Sequence, residues 1–140
     1  MHDRIKTIVF TSGVLFKDGK ILVLKRRDDE KVHPGKWDCV GGHMKEFESG
    51  EECILREAKE EIGVDVRILK RGKVFEINEK GRRCIVLPYL LDADITTDSG
   101  EESIKLTEHV EFRWVTADEL KSLDCVPDLI EASRLFGLIE

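Results

Sequence analysis

The stretch GGHMKEFESGEECILREAKEEIGV, from Gly41 to Val64, has an unusual charge pattern for a folded segment. Three carboxylates, Glu57, Glu60 and Glu61, fall within a single turn of the helix that this stretch predicts. Like charges at such spacing destabilise a helix, and few cations stand near enough in the sequence to offset them. A folded protein that keeps these glutamates together needs something to neutralise them.

The helix is predicted to run from about Gly50 to Ile62, and Gly63 is well placed to end it as a C-cap. At about 100° per residue, the three glutamates form an arc directly beside the apolar stripe that would face the core. Partial screening from water strengthens the repulsion between them. Arg56 is the cation close to the arc. The predicted stripe consists of Ile54, Leu55, Ala58 and Ile62.

A solvated, glutamate-rich helix face is the plain alternative for this arc. Such a face would carry interspersed lysines at i+4, and these are missing from the arc. A hard divalent cation such as Mg²⁺ would remove the repulsion, because it prefers oxygen ligands and often binds through a few carboxylates and substrate phosphates. We therefore predict that the helix is a metal-binding platform.

The spacing of the same residues resembles the Nudix box, G-x5-E-x7-R-E-U-x-E-E-x-G-U, in which U is an apolar residue. Gly42, Glu48 and the run from Arg56 to Val64 occupy its defined positions. The resemblance implies a fold of the α/β class, a Nudix-type α/β/α sandwich with a mixed β-sheet. In that fold the box forms a loop–helix–loop, here within one domain covering residues 1–140.

The resemblance also implies an activity that depends on Mg²⁺ or Mn²⁺. Nudix hydrolases cleave the diphosphate linkage of nucleoside triphosphates or other nucleoside diphosphate derivatives. Glu57, Glu60 and Glu61 match the metal-binding glutamates of the family, and one of them would act as general base toward water. Arg56 matches the box arginine that orients these glutamates through ion pairs.

Further ligands are implied by the same resemblance. Glu48 matches the other box glutamate, which is structural or weakly linked to the metal, and the backbone carbonyl of Gly41 or Gly42 would also reach the ion. A fourth acid often comes from a loop outside the box. Glu108 and Glu111 are the candidates, and Glu108 is slightly favoured over Glu111. The alternative is that both are ordinary exposed glutamates.

Candidate substrate-binding residues lie before and just after the glycine pair. Arg26 and Arg27 end the second predicted strand, where they could meet substrate phosphates or remain solvated. Trp37 could stack on a base or fill the core. His43 follows the glycines and could line the site. A small nucleotide or diphosphate is the partner that the resemblance implies.

Two other functions compete with the hydrolase. The run HPGKWDCVGGH is reminiscent of isopentenyl-diphosphate isomerase-like members, although Cys39 lacks the Cys-Ser-His-Pro context of those enzymes. Val40 also stands where proteins that cleanse oxidised nucleotides often have proline. The third hypothesis is a non-catalytic nucleotide-binding regulator, which would not need all three glutamates of the arc.

The rest of the chain predicts strands that alternate with turns. TIVFTSGVLF and KILVLKRR flank the hairpin signal Asp18-Gly19. VDVRILKRGKVFEI, RRCIVLPYLLDADI and VEFRWV are the further predicted strands, and TTDSGEESIKLTEH is a polar loop. Thr116 has the form of a capping box that opens a short helix. Pro127 opens a last helix, which Gly137 ends.

Composition narrows the remaining possibilities. The chain has 140 residues, 41% hydrophobic and 37% charged, with a net charge of −6. This charge argues against duplex nucleic acid as a partner. The absence of a long apolar run or a signal-like start predicts a cytoplasmic protein that does not span a membrane. Four scattered cysteines predict free thiols, and Leu138 and Ile139 hint at a homodimer contact.

Overall fold

The structure, a computed structural model, describes residues 6–95 and 104–140. Its first helix, α1, spans Gly50–Ile62, as predicted. The Ser49 hydroxyl accepts from the Glu52 amide, the Glu52 carboxylate accepts from the Ser49 amide, and left-handed Gly63 ends the helix. These caps satisfy backbone groups that the helix itself cannot pair, so both ends of α1 are fixed by local sequence.

Removing the N-cap should destabilise the chain measurably. Ser49→Ala loses the side-chain acceptor for the Glu52 amide, whose oxygen–nitrogen distance is 3.1 Å. We expect the free energy of unfolding to fall by about 1 kcal/mol, the usual cost of losing such a cap. Urea denaturation measures it, and Ser49→Asp, which restores an acceptor, should recover most of the loss.

The mixed β-sheet is built around β1, Lys6–Lys17, and β7, Arg82–Asp92. These two strands pair in parallel from Lys6 opposite Arg82 to Leu15 opposite Leu91. The other pairings are antiparallel, with two strands added to β1, two to β7 and two more to the outer strand next to β1. They are β2 (Lys20–Lys25), β3 (Trp37–Asp38), β4 (Val40–His43), β5 (Arg67–Arg71), β6 (Phe75–Glu79) and β8 (Glu111–Val115).

The sheet is covered by helices on both faces. Neighbouring residues such as Val14 and Leu15 belong to different apolar clusters, because successive side chains of a strand point to opposite faces. One cluster includes Ile54, Ala58 and Ile62 of α1. The other includes Leu120 of α2, Ala117–Lys121, and residues of α3, Pro127–Leu135. The predicted α/β/α sandwich is confirmed.

Several local predictions are confirmed by the backbone. Asp18 and Gly19 join β1 to β2 with positive φ angles of 51° and 75°, as a tight hairpin between twisted strands requires. Thr116 forms the predicted capping box before α2. Gly137, at φ 74°, follows α3. None of the helices in the described ranges is long and apolar enough to cross a membrane.

Other predictions are wrong in detail. The run 64–77, predicted as one strand, is split into β5 and β6 near Gly72. A Cβ atom at Gly72 would lie 2.6 Å from the Leu135 side chain, so the chain turns where α3 packs against it. Leu55, assigned to the buried stripe of α1, is 41% exposed. The predicted loop 96–109 lies partly outside the described residues.

The C-terminal residues pack on their own chain. Leu138 and Ile139 are partly buried against the second apolar cluster, and the Leu138 amide donates to the Ser133 carbonyl at 2.9 Å. The two residues that suggested a homodimer contact therefore have intramolecular partners.

Candidate active site

Arg56 ties the acidic residues of the loop–helix together. Its Nε and Nη2 atoms contact the two carboxylate oxygens of Glu48 at 2.6 and 3.0 Å. Its Nη1 atom contacts Glu57 at 2.6 Å and Glu60 at 3.1 Å. The hydrogen bonds from Arg56 lower the pKa of Glu48 to about 2. The guanidinium thus contacts three carboxylates at once, and its contact with Glu48 is bidentate, in agreement with the predicted ion pairs of Arg56.

Glu61 is a buried carboxylate that faces the glycine pair. Glu61 is only 6% exposed, and its Oε1 atom accepts a hydrogen bond from the Gly41 amide at 2.8 Å. Burial raises the pKa of Glu61 well above its usual range, while the Gly41 hydrogen bond acts in the opposite direction. Gly41 has a φ of 146°, a backbone angle that residues with a side chain rarely adopt. The strand therefore needs glycine at this position to reach the carboxylate.

Glu57 packs against the second glycine. A Cβ atom at Gly42 would lie 2.0 Å from the Glu57 Oε2 atom, so only glycine leaves room for this carboxylate. Burial raises the pKa of Glu57, and Arg56 partly opposes that effect. The side chain of Glu60, by contrast, is 55% exposed. The three glutamates of the arc thus differ in burial, although Arg56 or the glycine pair holds each of them.

Glu108 and Glu111 are separated by the structure. Glu108 lines a cleft together with Gly41 and Gly42, and its charge raises the pKa of Glu61 further. Glu111 begins β8, where its carboxylate accepts from Arg113 at 2.9 Å, and it does not line this cleft. Of the two candidate acids, the geometry favours Glu108.

The cleft has a volume of about 840 Å³. One wall comes from residues 26–33 between β2 and β3, and another from the ends of β6 and β7. Gly41, Gly42 and His43 of β4 complete it beside the glutamates. This volume is in the range of small-molecule sites, so the cleft can enclose a nucleotide-sized ligand.

Two partly buried carboxylates from distant parts of the chain line the same cleft. Asp38 accepts from Arg26 at 3.0 Å, and Asp128 accepts from the Ser12 hydroxyl at 2.7 Å. One oxygen of each carboxylate and the Cys39 sulfur lie within 4.8 Å of one another. Burial, and then the charge of Asp128, raise the pKa of Asp38 to about 7. The two carboxylates therefore hold a proton at pH values where exposed ones are ionised.

Known proteins resemble this chain in sequence over most of its length. A model of the NUDIX domain matches residues 8–136. The chain belongs to the Nudix family. An uncharacterized Nudix hydrolase of Pseudomonas aeruginosa is 30% identical over 127 residues, covering 84% of this chain and 70% of that protein. The nucleoside triphosphatase NudI of Escherichia coli is 28% identical, covering 97% of this chain and 99% of its own length.

Solved Nudix structures share the fold. The MutT NUDIX hydrolase of Burkholderia pseudomallei superimposes with a TM-score of 0.80 at 21% identity, covering 93% of this chain and 98% of that chain. Nudix hydrolases act on nucleoside diphosphate derivatives and generally use divalent metal ions. The chain is therefore a Nudix hydrolase with the helix and cleft described above.

The predicted substrate-binding residues are not all brought together. Arg26, Arg27 and His43 line the cleft of the Nudix domain. Arg26 is engaged by Asp38, however, and Arg27 pairs with Asp29 at 3.1 Å. Trp37 is 5% exposed and packs in the second apolar cluster, where the Arg113 guanidinium lies 4.8 Å from its ring centroid. Its position corresponds to core filling, not to base stacking.

Sequence reasoning missed Asp38 and Asp128. Asp128 is the second residue of α3, a position where an acidic residue is common because it interacts favourably with the helix dipole. Asp38 stands between Trp37 and Cys39. A charged residue between two apolar ones was the available sequence signal, and both neighbours are buried in the structure. The closeness of Asp38 and Asp128 depends on pairing that brings β3, α3 and β1 together, which spacing along the chain does not reveal.

The carboxylate pair should make stability depend on pH. Because the pKa of Asp38 is raised to about 7 in the folded chain, the protein holds a proton there that the unfolded chain releases near pH 4. The free energy of unfolding should therefore fall between about pH 4 and pH 7, by at most about 1.4 kcal/mol per pH unit for one proton. Asp38→Asn should flatten this dependence in urea denaturation, whereas exposed Asp65→Asn should leave it unchanged. An unchanged slope for Asp38→Asn would contradict the assignment.

Proposed function

We propose that this Nudix hydrolase is a metal-dependent pyrophosphohydrolase of a nucleoside triphosphate or a related nucleoside diphosphate derivative. The observation that carries the proposal is the position of the glycine pair. Gly41 and Gly42 line the cleft, and Glu61 and Glu57 pack directly against them. A diphosphate lying along this glycine backbone would be next to the acidic helix.

The carboxylates fit a divalent cation. Glu57 and Glu61 are half-buried or buried, and burial raises the pKa of each. Buried carboxylates of this kind are costly unless a cation compensates them, and hard cations take oxygen ligands. Glu57, Glu60 and Glu61 would hold Mg²⁺ or Mn²⁺, with Glu108, Glu48 and the Gly41 carbonyl as further candidates. When bound, the ion supplies neutralisation of phosphate oxygens and a more acidic water.

Side chains of the protein would accept the proton of the attacking water and hold the glutamates in place. Water attacks one phosphorus, the P–O bond to the leaving phosphate breaks, and a glutamate accepts the proton of the water. Glu57 and Glu61 are the candidates for this general base, because their carboxylates pack against the glycine pair that lines the cleft. Arg56 keeps Glu57 and Glu60 in place through its two Nη1 contacts. The products would be a nucleoside monophosphate and either pyrophosphate or a second phosphoryl product.

The carboxylate pair favours a nucleoside over an isoprenoid as the group enclosed by the cleft. Asp38 and Asp128 offer hydrogen-bond acceptors, and a protonated Asp38 also offers a donor. A nucleobase can pair with such groups through its amino, ring N–H and carbonyl groups. A hydrocarbon chain would remove water from both carboxyl groups without adding a hydrogen bond to those from Arg26 and Ser12, which costs free energy.

The isomerase hypothesis requires a reactive thiol. Cys39 is 3% exposed, and burial together with Asp128 and Asp38 raises the pKa of its thiol well above the usual range. A thiol in such surroundings is protonated and weakly nucleophilic. We expect Cys39→Ser to retain hydrolase activity.

The experiment that tests the proposal is an Mg²⁺-dependent hydrolysis panel with product identification. It would include canonical and oxidised nucleoside triphosphates, ADP-ribose, dinucleoside polyphosphates and isopentenyl diphosphate. Release of a nucleoside monophosphate by the wild type, absent in Glu61→Gln purified in parallel, supports the proposal and names the substrate. Conversion of isopentenyl diphosphate alone would favour the isomerase, and no turnover of any compound would favour the regulator.

A further inference from the structure

We propose that His33 and Glu79 form a clasp across the cleft that selects ligands by size. The selection of substrates rests on the proposed function, whereas the clasp itself does not. The His33 Nε2 atom lies 3.0 Å from the Glu79 Oε1 atom, and both side chains are largely buried. This contact joins the loop of residues 26–36 to the hairpin between β6 and β7, which form two walls of the cleft.

The clasp joins the two walls where the loop is also held by its own hydrogen bonds. The Arg26 amide donates to the Lys36 carbonyl at 2.9 Å, and the Arg26 Nε atom donates to the Val32 carbonyl at 3.1 Å. The Gly35 amide donates to the Arg27 carbonyl at 3.1 Å. Because these bonds lie on both sides of His33, breaking its contact with Glu79 would let the two walls separate without unfolding the loop.

The backbone fixes the position of both residues of the clasp. His33 has a left-handed φ of 50°, an angle that residues other than glycine keep only where the surrounding structure requires it. Glu79 ends β6 directly before the tight turn of Lys80 and Gly81, whose φ angles are 48° and 72°. Glu79 is also held from its own hairpin by Arg82, at 3.4 Å. The hairpin thus presents the acceptor to His33 in a fixed position.

A closed clasp sets an upper size for the enclosed ligand. The cleft of about 840 Å³ is bounded by His33 on one wall and by Glu79 on another. His33 also lines the cleft together with Asp38 and Asp128. A nucleoside triphosphate could place its nucleoside inside this boundary. A ligand with a second nucleoside, or a bulky group on the base, would have to separate the two walls.

The labelling rates of two cysteines in the cleft measure how often the cleft opens. Cys39 and Cys84 both line the cleft and are 3% and 1% exposed. Cys53 is 0% exposed and lies in α1, outside the cleft lining. Labelling of Cys39 and Cys84 therefore measures access to the cleft, and labelling of Cys53 measures unfolding. Neither readout needs a substrate or a metal ion.

The first test compares iodoacetamide labelling rates for each cysteine, resolved by peptide mass spectrometry. Glu79→Ala removes the acceptor, and His33→Asn removes the imidazole while keeping a residue that tolerates left-handed angles. Glu79→Gln is the matched control, because its amide oxygen still accepts from His33. We expect both disruptive variants to label Cys39 or Cys84 at least fivefold faster, with Glu79→Gln close to wild type. Unchanged labelling of both, or an equal rise at Cys53, overturns the clasp.

The second test concerns size selection. We expect the ratio of kcat/KM for a dinucleoside tetraphosphate to that for a nucleoside triphosphate to rise at least fivefold in Glu79→Ala and His33→Asn. A ratio within twofold of wild type, despite faster labelling, overturns the selection and leaves the clasp. If the wild type hydrolyses no nucleotide, the proposed function and the selection both fail, and the labelling rates still decide the clasp.

Discussion

Glu61→Gln is expected to lower kcat by at least about 100-fold, the scale that follows from losing a metal ligand or a general base. The glutamine can still accept the Gly41 amide, which lies 2.8 Å from the carboxylate in the structure. The substitution therefore removes the charge and the basicity of the group but little of its packing. Steady-state hydrolysis of the substrate found by the panel measures the effect, and Glu60→Gln should show a loss of similar size.

Stability provides an independent readout for the same variant. Because the pKa of Glu61 is raised in the folded chain, ionising it costs stability as the pH rises above the value in the unfolded chain. Without metal, Glu61→Gln should therefore melt at a temperature no lower than that of wild type. Mg²⁺ should raise the Tm of wild type, and at most half as much that of Glu61→Gln. Exposed Glu46→Gln is the control, and near-normal turnover of Glu61→Gln would show that the wrong carboxylates have been assigned.

Arg56→Ala is expected to impair both folding and activity. The guanidinium contacts Glu48, Glu57 and Glu60 at distances between 2.6 and 3.1 Å. Removing one partner of a buried ion pair costs about 3–5 kcal/mol, and partial exposure of this network reduces the expected loss to about 2 kcal/mol. Thermal unfolding should show a Tm lower by roughly 5–10 °C. We expect kcat to fall by about 10- to 100-fold, because the carboxylates lose their orientation.

Two further variants separate charge from geometry at this position. Arg56→Lys keeps the positive charge but cannot form the bidentate contact with Glu48, so it should recover only part of the stability. Arg134→Ala removes an exposed arginine that contacts Glu131 at 3.0 Å, and it should cost less than about 1 kcal/mol. If Arg56→Ala were as mild as Arg134→Ala, the network would not organise the site.

The parts of the fold that sequence predicted are those that local interactions determine. The limits of α1 follow from the capping box at Ser49 and from Gly63, which lie within the same short stretch. The hairpin at Asp18-Gly19 is equally local. Leu55 shows where this reasoning stops. A helical projection gives the direction of a side chain, but how far the neighbouring sheet covers that direction depends on tertiary packing.

The residues of the candidate site also fall into those placed by local sequence and those placed by tertiary packing. Glu57, Glu60 and Arg56 lie within five positions of one another, and the contacts of Arg56 with both glutamates agree with the predicted ion pairs. Asp38 and Asp128 were not predicted, because their proximity arises only after β3 has paired with β2 and α3 has packed against β1. Trp37 could be described only as two alternatives, since its burial depends on the same packing.

The hydrogen bond between Ser12 and Asp128 spans 116 positions of the chain. Loops of this length close slowly, because chain entropy must be lost before any contact compensates for it. The acidic helix, in contrast, is built from neighbours and needs only its own caps and a sheet to rest on. During synthesis Asp128 leaves the ribosome well after the acidic helix, so a nascent chain carries this helix before it has a complete cleft. Ligand recognition therefore has to wait until α3 has also been synthesised and has packed on the sheet.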